Sequence, residues 1–204
     1  MQFLTLFIFF VFIGDEMCGK TQLINCLCDK PYYEEYEPTL EDSYMVTLYG
    51  EATIQTALLD TSGRSEYASL VDSTIRIADC ILLCFSLYTD KSTCFTKTRI
   101  EHIRQLYKIA PVVLIGTMFD LREDKIKNMT LYYDDNSYKN NYIKTIYGIT
   151  FANEIGALSY IECSAKEKFN IELIKNKINE FAQEKILRDN KKTLKYSKNK
   201  LIYS

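Results

Sequence analysis

Gly14-Asp15-Glu16-Met17-Cys18-Gly19-Lys20-Thr21 has the form G-x-x-x-x-G-K-T. Glycines let a tight turn bring successive backbone N–H groups onto phosphate oxygens, and a helix starting at Lys20 adds its positive dipole end. The Lys20 ammonium would reach the outer phosphates, and the Thr21 hydroxyl would coordinate Mg²⁺. A second station is Asp60-Thr61-Ser62-Gly63. A carboxylate at a strand end can hold Mg²⁺ through water, and a glycine beside it lets a backbone N–H approach the γ-phosphate. A third, Thr117-Met118-Phe119-Asp120, puts a carboxylate where it can accept from both N1–H and the exocyclic amine of guanine, a donor pair that adenine lacks. A fourth is Glu162-Cys163-Ser164-Ala165-Lys166, where a backbone N–H could bond guanine O6.

These stations need strands to deliver them to one edge. Phe3–Ile13 is an unbroken apolar run and reads as a buried central strand leading into the first turn. Lys20–Cys28 reads as helix, with Leu23, Ile24 and Leu27 on one face. Tyr44–Tyr49 and Thr53–Leu59 read as a hairpin around Gly50-Glu51. Cys80–Leu87, Val112–Thr117 and Ser159–Cys163 are short apolar strands. Lys91–Ile109 reads as helix, and Asn170–Arg188 as an amphipathic helix carrying Ile171, Ile174, Ile178 and Phe181. The alternation predicts an α/β fold with three α/β/α layers on a mainly parallel six-stranded sheet, ligands binding at the carboxyl ends of the strands. Asp124–Tyr147 reads as a surface insertion. Asp189–Ser204, with Lys191, Lys192, Lys195, Lys198 and Lys200, reads as a disordered basic tail after a domain spanning 1–188.

Composition agrees with one full core. The 204 residues are 47% apolar and 25% charged, with a formal net charge of -2, so there is no general argument for nucleic acid. Seven scattered cysteines suit reduced thiols in the cytoplasm rather than a disulfide framework. Cys26-x-Cys28 lacks a second pair for zinc, and the single histidine, His102, reads as a surface or boundary residue. The apolar start lacks the basic flank and cleavage site of a signal peptide and is too short to span a bilayer as a helix.

Taken in order, the four stations resemble the Ras superfamily of small GTPases over about residues 3–188, the P-loop NTPase G domain. The resemblance implies GTP/GDP and Mg²⁺ as ligands. It places Gly14 to Thr21 and Gln22 against the phosphates, Tyr32 against the guanine face, and Tyr36 in the nucleotide site at the start of the first switch. It implies Thr21, Thr39 and Asp60 around the metal, Thr39, Gly63 and Arg64 at the catalytic stations, and Thr117, Met118, Asp120, Ser164, Ala165 and Lys166 around the base. Tyr36–Tyr44 and Asp60–Tyr67 look like the two switches that meet effector proteins and an exchange factor. Ala110–Thr117 running into Asp120-Leu121-Arg122-Glu123-Asp124, and Ala152–Ala157 before Tyr160–Ala165, are Rho/Rac-like, and 124–147 falls where Rho proteins carry a helical insert.

Four departures stand out. Glu16 replaces a glycine beside the γ-phosphate, and Arg64 replaces the glutamine that orients the attacking water; arginine cannot accept a hydrogen bond from that water. Met118 replaces a lysine over the guanine. The chain ends Leu201-Ile202-Tyr203-Ser204, without a prenylation box, so membrane contact would rest on Lys191–Lys200 meeting an anionic surface. The expectation is a Rho-type signalling switch with slow GTP hydrolysis, cytoplasmic or peripheral at a membrane. The alternatives are a non-cycling binding scaffold and, more distantly, a P-loop kinase.

Overall fold

The first strand has no polar face because the sheet is covered on both sides. In the computed structural model, which describes residues 7–89, 105, 110–132 and 142–202, β1 (Phe7–Gly14) is flanked by β3 (Ile54–Thr61) and β4 (Cys80–Ser86), both parallel to it. Ile8, Phe10 and Phe12 enter one core with Leu23, Ile24 and Leu27 of α1 (Lys20–Leu27) and Ile174, Ile178 and Phe181 of α5 (Ile171–Ile202). Val11 and Ile13 enter the other, with Val71 and Ile75 of α2 (Ala68–Ile75) and Phe151 and Ala152 of α4 (Thr145–Glu154). Every second residue thus faces a different helical layer.

The sheet runs β2-β3-β1-β4-β5-β6, with β5 at Val112–Thr117 and β6 at Ser159–Glu162. Only β2 (Glu41–Leu48) is antiparallel, as the outer member of the hairpin with β3. This is the mainly parallel, six-stranded α/β architecture that the alternation predicts. The hairpin is longer than its apolar pattern indicates: Glu41, Asp42 and Ser43 pair opposite Thr61, Asp60 and Leu59. Their polar side chains hide the strand in sequence, yet an edge position leaves them in water.

Two further segments differ from expectation. Helix α3 (Phe119–Tyr132) starts within the third station and runs through the first part of the predicted insertion, and α4 starts at Thr145; residues 133–141 lie outside the described residues. The basic tail, expected to be disordered, continues α5 to Ile202. No Gly or Pro interrupts 189–204, lysine is a good helix former, and a helix already nucleated by packing propagates readily. The Lys185–Asp189 pair, 3.3 Å and one turn apart, spans the join. The predicted helix at Lys91–Ile109 and His102 lie outside the described residues, apart from Gln105. Among the described residues, no helix is long and apolar enough to cross a membrane.

Candidate nucleotide site

The strand ends of β1, β3 and β5 converge on a cavity of about 440 Å³, lined by the loop after β1, the Tyr32–Thr39 segment, Gly63 and Met118. The loop's shape follows from two left-handed residues, Met17 at φ 59° and Gly19 at φ 88°. This alternation turns neighbouring N–H groups inward, making an anion cradle at the start of α1. Lys20 is buried, and its Nζ donates to the carbonyls of Gly14 at 3.0 Å and Asp15 at 2.9 Å, arching over the loop. Gly63 comes so close to the loop that a Cβ there would sit 2.1 Å from the Glu16 nitrogen. Behind the loop, Thr117 Oγ1 lies 2.5 Å from the Cys18 carbonyl and 2.9 Å from that of Phe85, so it braces β5 against the cradle. The buried Cys18 thiol contacts the Cys84 carbonyl at 3.6 Å.

Three oxygen-bearing side chains meet beside Lys20. Thr21 Oγ1 donates to Asp60 Oδ2 at 2.6 Å and lies 3.0 Å from Thr39 Oγ1. Asp60 Oδ1 is buried with no hydrogen-bond partner. Burial pushes the Asp60 carboxyl up, against the Thr21 hydroxyl and the Lys20 charge. Two hydroxyls and a buried, partly unsatisfied carboxylate form the hard-oxygen donor set that suits Mg²⁺, so the residues present fit that ion.

At the outer end of the cradle, two of the unusual residues pair with each other. Arg64 Nε donates to Glu16 Oε1 at 2.9 Å, and the Tyr36 hydroxyl donates to the same oxygen at 3.0 Å. These bonds hold the Glu16 carboxyl below its usual range, Arg64 first and Tyr36 second. Glu16 therefore ties the Tyr32–Thr39 segment and the turn after Gly63 to the loop after β1. A backbone bond from Ser62 N–H to the Leu40 carbonyl, 3.1 Å, joins the same segments. Gln22 supports the first of them by accepting from the Tyr33 N–H at 3.1 Å.

The third and fourth sequence stations lie away from this pair. Met118, at φ 59°, lines the cavity and accepts from Ser86 Oγ at 3.2 Å. Asp120 sits in the first turn of α3, next to Phe119, whose N–H donates to the Cys163 carbonyl at 3.0 Å. Lys166 reaches Glu34 at 3.2 Å, which raises its pKa, with Tyr32 and Asp120 adding smaller contributions. Ser164 is fully buried and its Oγ accepts from the Glu167 N–H at 3.0 Å, while the Ala165 carbonyl accepts from the Cys26 thiol at 3.6 Å. Asp120, Ser164, Ala165 and Lys166 do not line the cavity itself; of the four, Lys166 is close enough to the cavity residues to pair with Glu34 and to feel the charge of Tyr32.

Sequence reasoning did not single out Arg122 or Glu162, which form a bidentate pair behind Asp120 with two 2.8 Å bonds. Their opposite charges lie at a helix start and a strand end 40 residues apart, and nothing in the sequence marks either one as buried.

The comparisons with known proteins agree with this geometry. The Ras family profile matches residues 10–184. Rho-related protein racC of Entamoeba histolytica is 36% identical over 169 residues, covering 80% of this chain and 84% of racC. The chain belongs to the Ras family, as a GTP-binding small GTPase of Rho/Rac-like type.

Proposed function

We propose that this GTPase is a signalling switch that hydrolyses GTP slowly and stays long in its GTP state. The observation that carries the reading is the Arg64–Glu16 contact at 2.9 Å. The side chain following Gly63 is committed to a carboxylate and has no acceptor with which to orient water. Glu16 and Tyr36 stand at the approach a trans-acting arginine would use. Stimulation by such an arginine, roughly 10³–10⁵ in the range measured for Ras and its relatives, is expected to be largely lost.

Each remaining residue has a binding or positioning role. The Met17–Thr21 N–H groups and Lys20 hold the polyphosphate, and Gln22 supports its α-phosphate end. Thr21, Thr39 and Asp60 would hold Mg²⁺, which when bound would offset phosphate charge. Thr39 and the Gly63 N–H report the γ-phosphate to the two switches. Asp120 reads the N1–H and amine edge of guanine, with Ser164–Lys166 at O6 and Tyr32 and Met118 on its faces. Effectors and an exchange factor would meet the exposed Tyr36, Leu40 and Met45 surface and the Asp60–Tyr67 segment. An anionic membrane is a weak further contact through Lys191–Lys200.

Single-turnover hydrolysis of preloaded GTP tests the reading, comparing wild type with the double variant Glu16→Gly, Arg64→Gln. A nearly inert wild type and a faster variant are expected; equal rates overturn it. A second reading, a non-cycling scaffold, draws support from the Glu16–Arg64–Tyr36 contacts, which join the Tyr32–Thr39 segment and the turn after Gly63 to the loop through the chain's own side chains. Nucleotide content after purification separates the two, since a scaffold with a poor nucleotide site elutes empty.

A further inference from the structure

We infer that the buried Arg122–Glu162 pair is a positioning device for base specificity, setting the spacing between the Asp120 and Ser164–Lys166 stations. The inference rests on the guanine reading of Asp120 given above.

Arg122 lies two residues beyond Asp120 in the first turn of α3, and Glu162 lies two residues before Ser164 at the end of β6. Their side chains are only 5% and 11% exposed. Nη1 donates to Oε1 and Nη2 to Oε2, each at 2.8 Å, so the planar fork fixes orientation as well as distance. Further contacts hold each partner. Arg122 Nη1 also donates to the Ile143 carbonyl at 3.2 Å, and the guanidinium stacks 4.9 Å from the Phe119 ring centre. Glu162 accepts from the Tyr160 hydroxyl at 2.7 Å and from Thr145 Oγ1 at 3.2 Å. Asn170 Nδ2 donates to the Glu162 carbonyl at 2.8 Å, closing the loop that carries Ser164–Lys166. Neither Arg122 nor Glu162 lines the nucleotide cavity.

A well-packed apolar pair of the same volume would serve stability as well or better. An apolar contact has no preferred rotation, however, whereas a carboxylate must meet two donors on one base edge within about 0.5 Å. With Met118 in place of a cation, more of the hold on the base falls on that edge.

The test compares the release of fluorescent GDP and of the matching inosine diphosphate, which keeps N1–H and O6 but lacks the exocyclic amine. Wild type is expected to release the inosine nucleotide faster. Arg122→Met should speed GDP release roughly tenfold, the loss of about one well-aligned hydrogen bond, and speed inosine diphosphate release less, so that the discrimination ratio collapses. Arg122→Lys, which keeps the charge and the fold but loses the fork, should lower the ratio too. The double variant Arg122→Met, Glu162→Met should recover the unfolding midpoint but not the ratio. Equal acceleration of both nucleotides, an unchanged ratio in Arg122→Lys, or a ratio restored by the double variant each overturns the inference. A wild type that does not distinguish the two nucleotides overturns the Asp120 reading and this inference with it.

Discussion

The nucleotide site carries an Arg–Glu pair at each end, nearly identical in chemistry and different in surroundings. Arg64 and Glu16 meet at 2.9 Å with side chains 37% and 38% exposed, while Arg122 and Glu162 meet at 2.8 Å with 5% and 11% exposed. Water and salt screen the first pair, so it opens readily and adds little to folding stability. The second has given up its hydration and depends on its partner. Removing one side of such a pair strands a buried charge at a cost of about 3–5 kcal/mol. An openable tie suits the end proposed to carry moving switches, and a fixed one the end proposed to read a base.

The largest expected effect breaks the buried pair. Arg122→Met should lower the thermal midpoint by roughly 10 °C, since 1 kcal/mol shifts a chain of this size by a few degrees. Arg64→Met should leave the midpoint close to wild type. Equal shifts in the two variants would erase the distinction drawn between the ends. Raising salt to about 1 M sharpens it, because the Debye length falls to about 3 Å; only the exposed tie should weaken, read as faster exchange in switch amides while α3 and β6 stay protected.

The next effect is catalytic. Glu16→Gly alone removes the anchor but leaves an arginine without an acceptor, so hydrolysis should rise only slightly. Arg64→Gln alone restores an acceptor but leaves the Glu16 carboxylate lining the cavity at the outer end of the cradle. Together they should accelerate turnover by an order of magnitude or more, given the usual contribution of a positioned proton or water acceptor, about 10²–10⁴. Additive single-variant effects would show that the two residues do not act as a unit.

How far these roles can be read from sequence depends on whether the cause is local. The loop after β1, the strands of Cys80–Ser86 and Val112–Thr117, and the buried face of α5 are written in contiguous residues, by spacing or by apolar runs. Glu16 and Arg64 each stand out as departures, but their contact joins residues 48 apart in sequence, and only the closure of the switches onto the loop brings them together. Arg122 and Glu162, 40 apart, looked like ordinary charged residues because their burial is created by α4 and Phe119. The Glu41–Ser43 part of β2 was hidden for the opposite reason: an edge strand can be polar and still pair. The tail read as disordered because lysines suggest solvation, whereas helix continuation depends on the packed turns before it.

A smaller effect lies in the base end's remaining departure. Met118→Lys should slow GDP release severalfold by placing an ammonium over the base and ribose, with little change in the guanine preference proposed for Asp120. An unchanged off-rate would mean that the methionine already packs as well as a lysine stem.

The finest comparison is by pH. Burial alone would raise the Glu162 carboxyl, but Arg122, Tyr160 and Thr145 outweigh it and hold it below the ordinary value of 4.5. A depressed folded-state pKa gives stability that is full above the unfolded value and lost as pH falls through the folded one. The wild-type midpoint should therefore hold through pH 5 and fall below about 4.5, as carboxylates of this kind protonate. Arg122→Met removes the main opposing group and leaves desolvation in control, so the Glu162 pKa should move above its ordinary value and the sign should reverse. Acidification should then relieve the stranded charge, and the stability gap between variant and wild type should narrow as pH falls from 7 to 4. Arg64→Met should show much weaker narrowing, because Glu16 also loses a depressing partner but its exposed carboxylate is already solvated and screened. A gap that stays constant with pH in Arg122→Met would mean that Tyr160 and Thr145 suffice to keep Glu162 ionised, and that the guanidinium orients the pair without setting its charge.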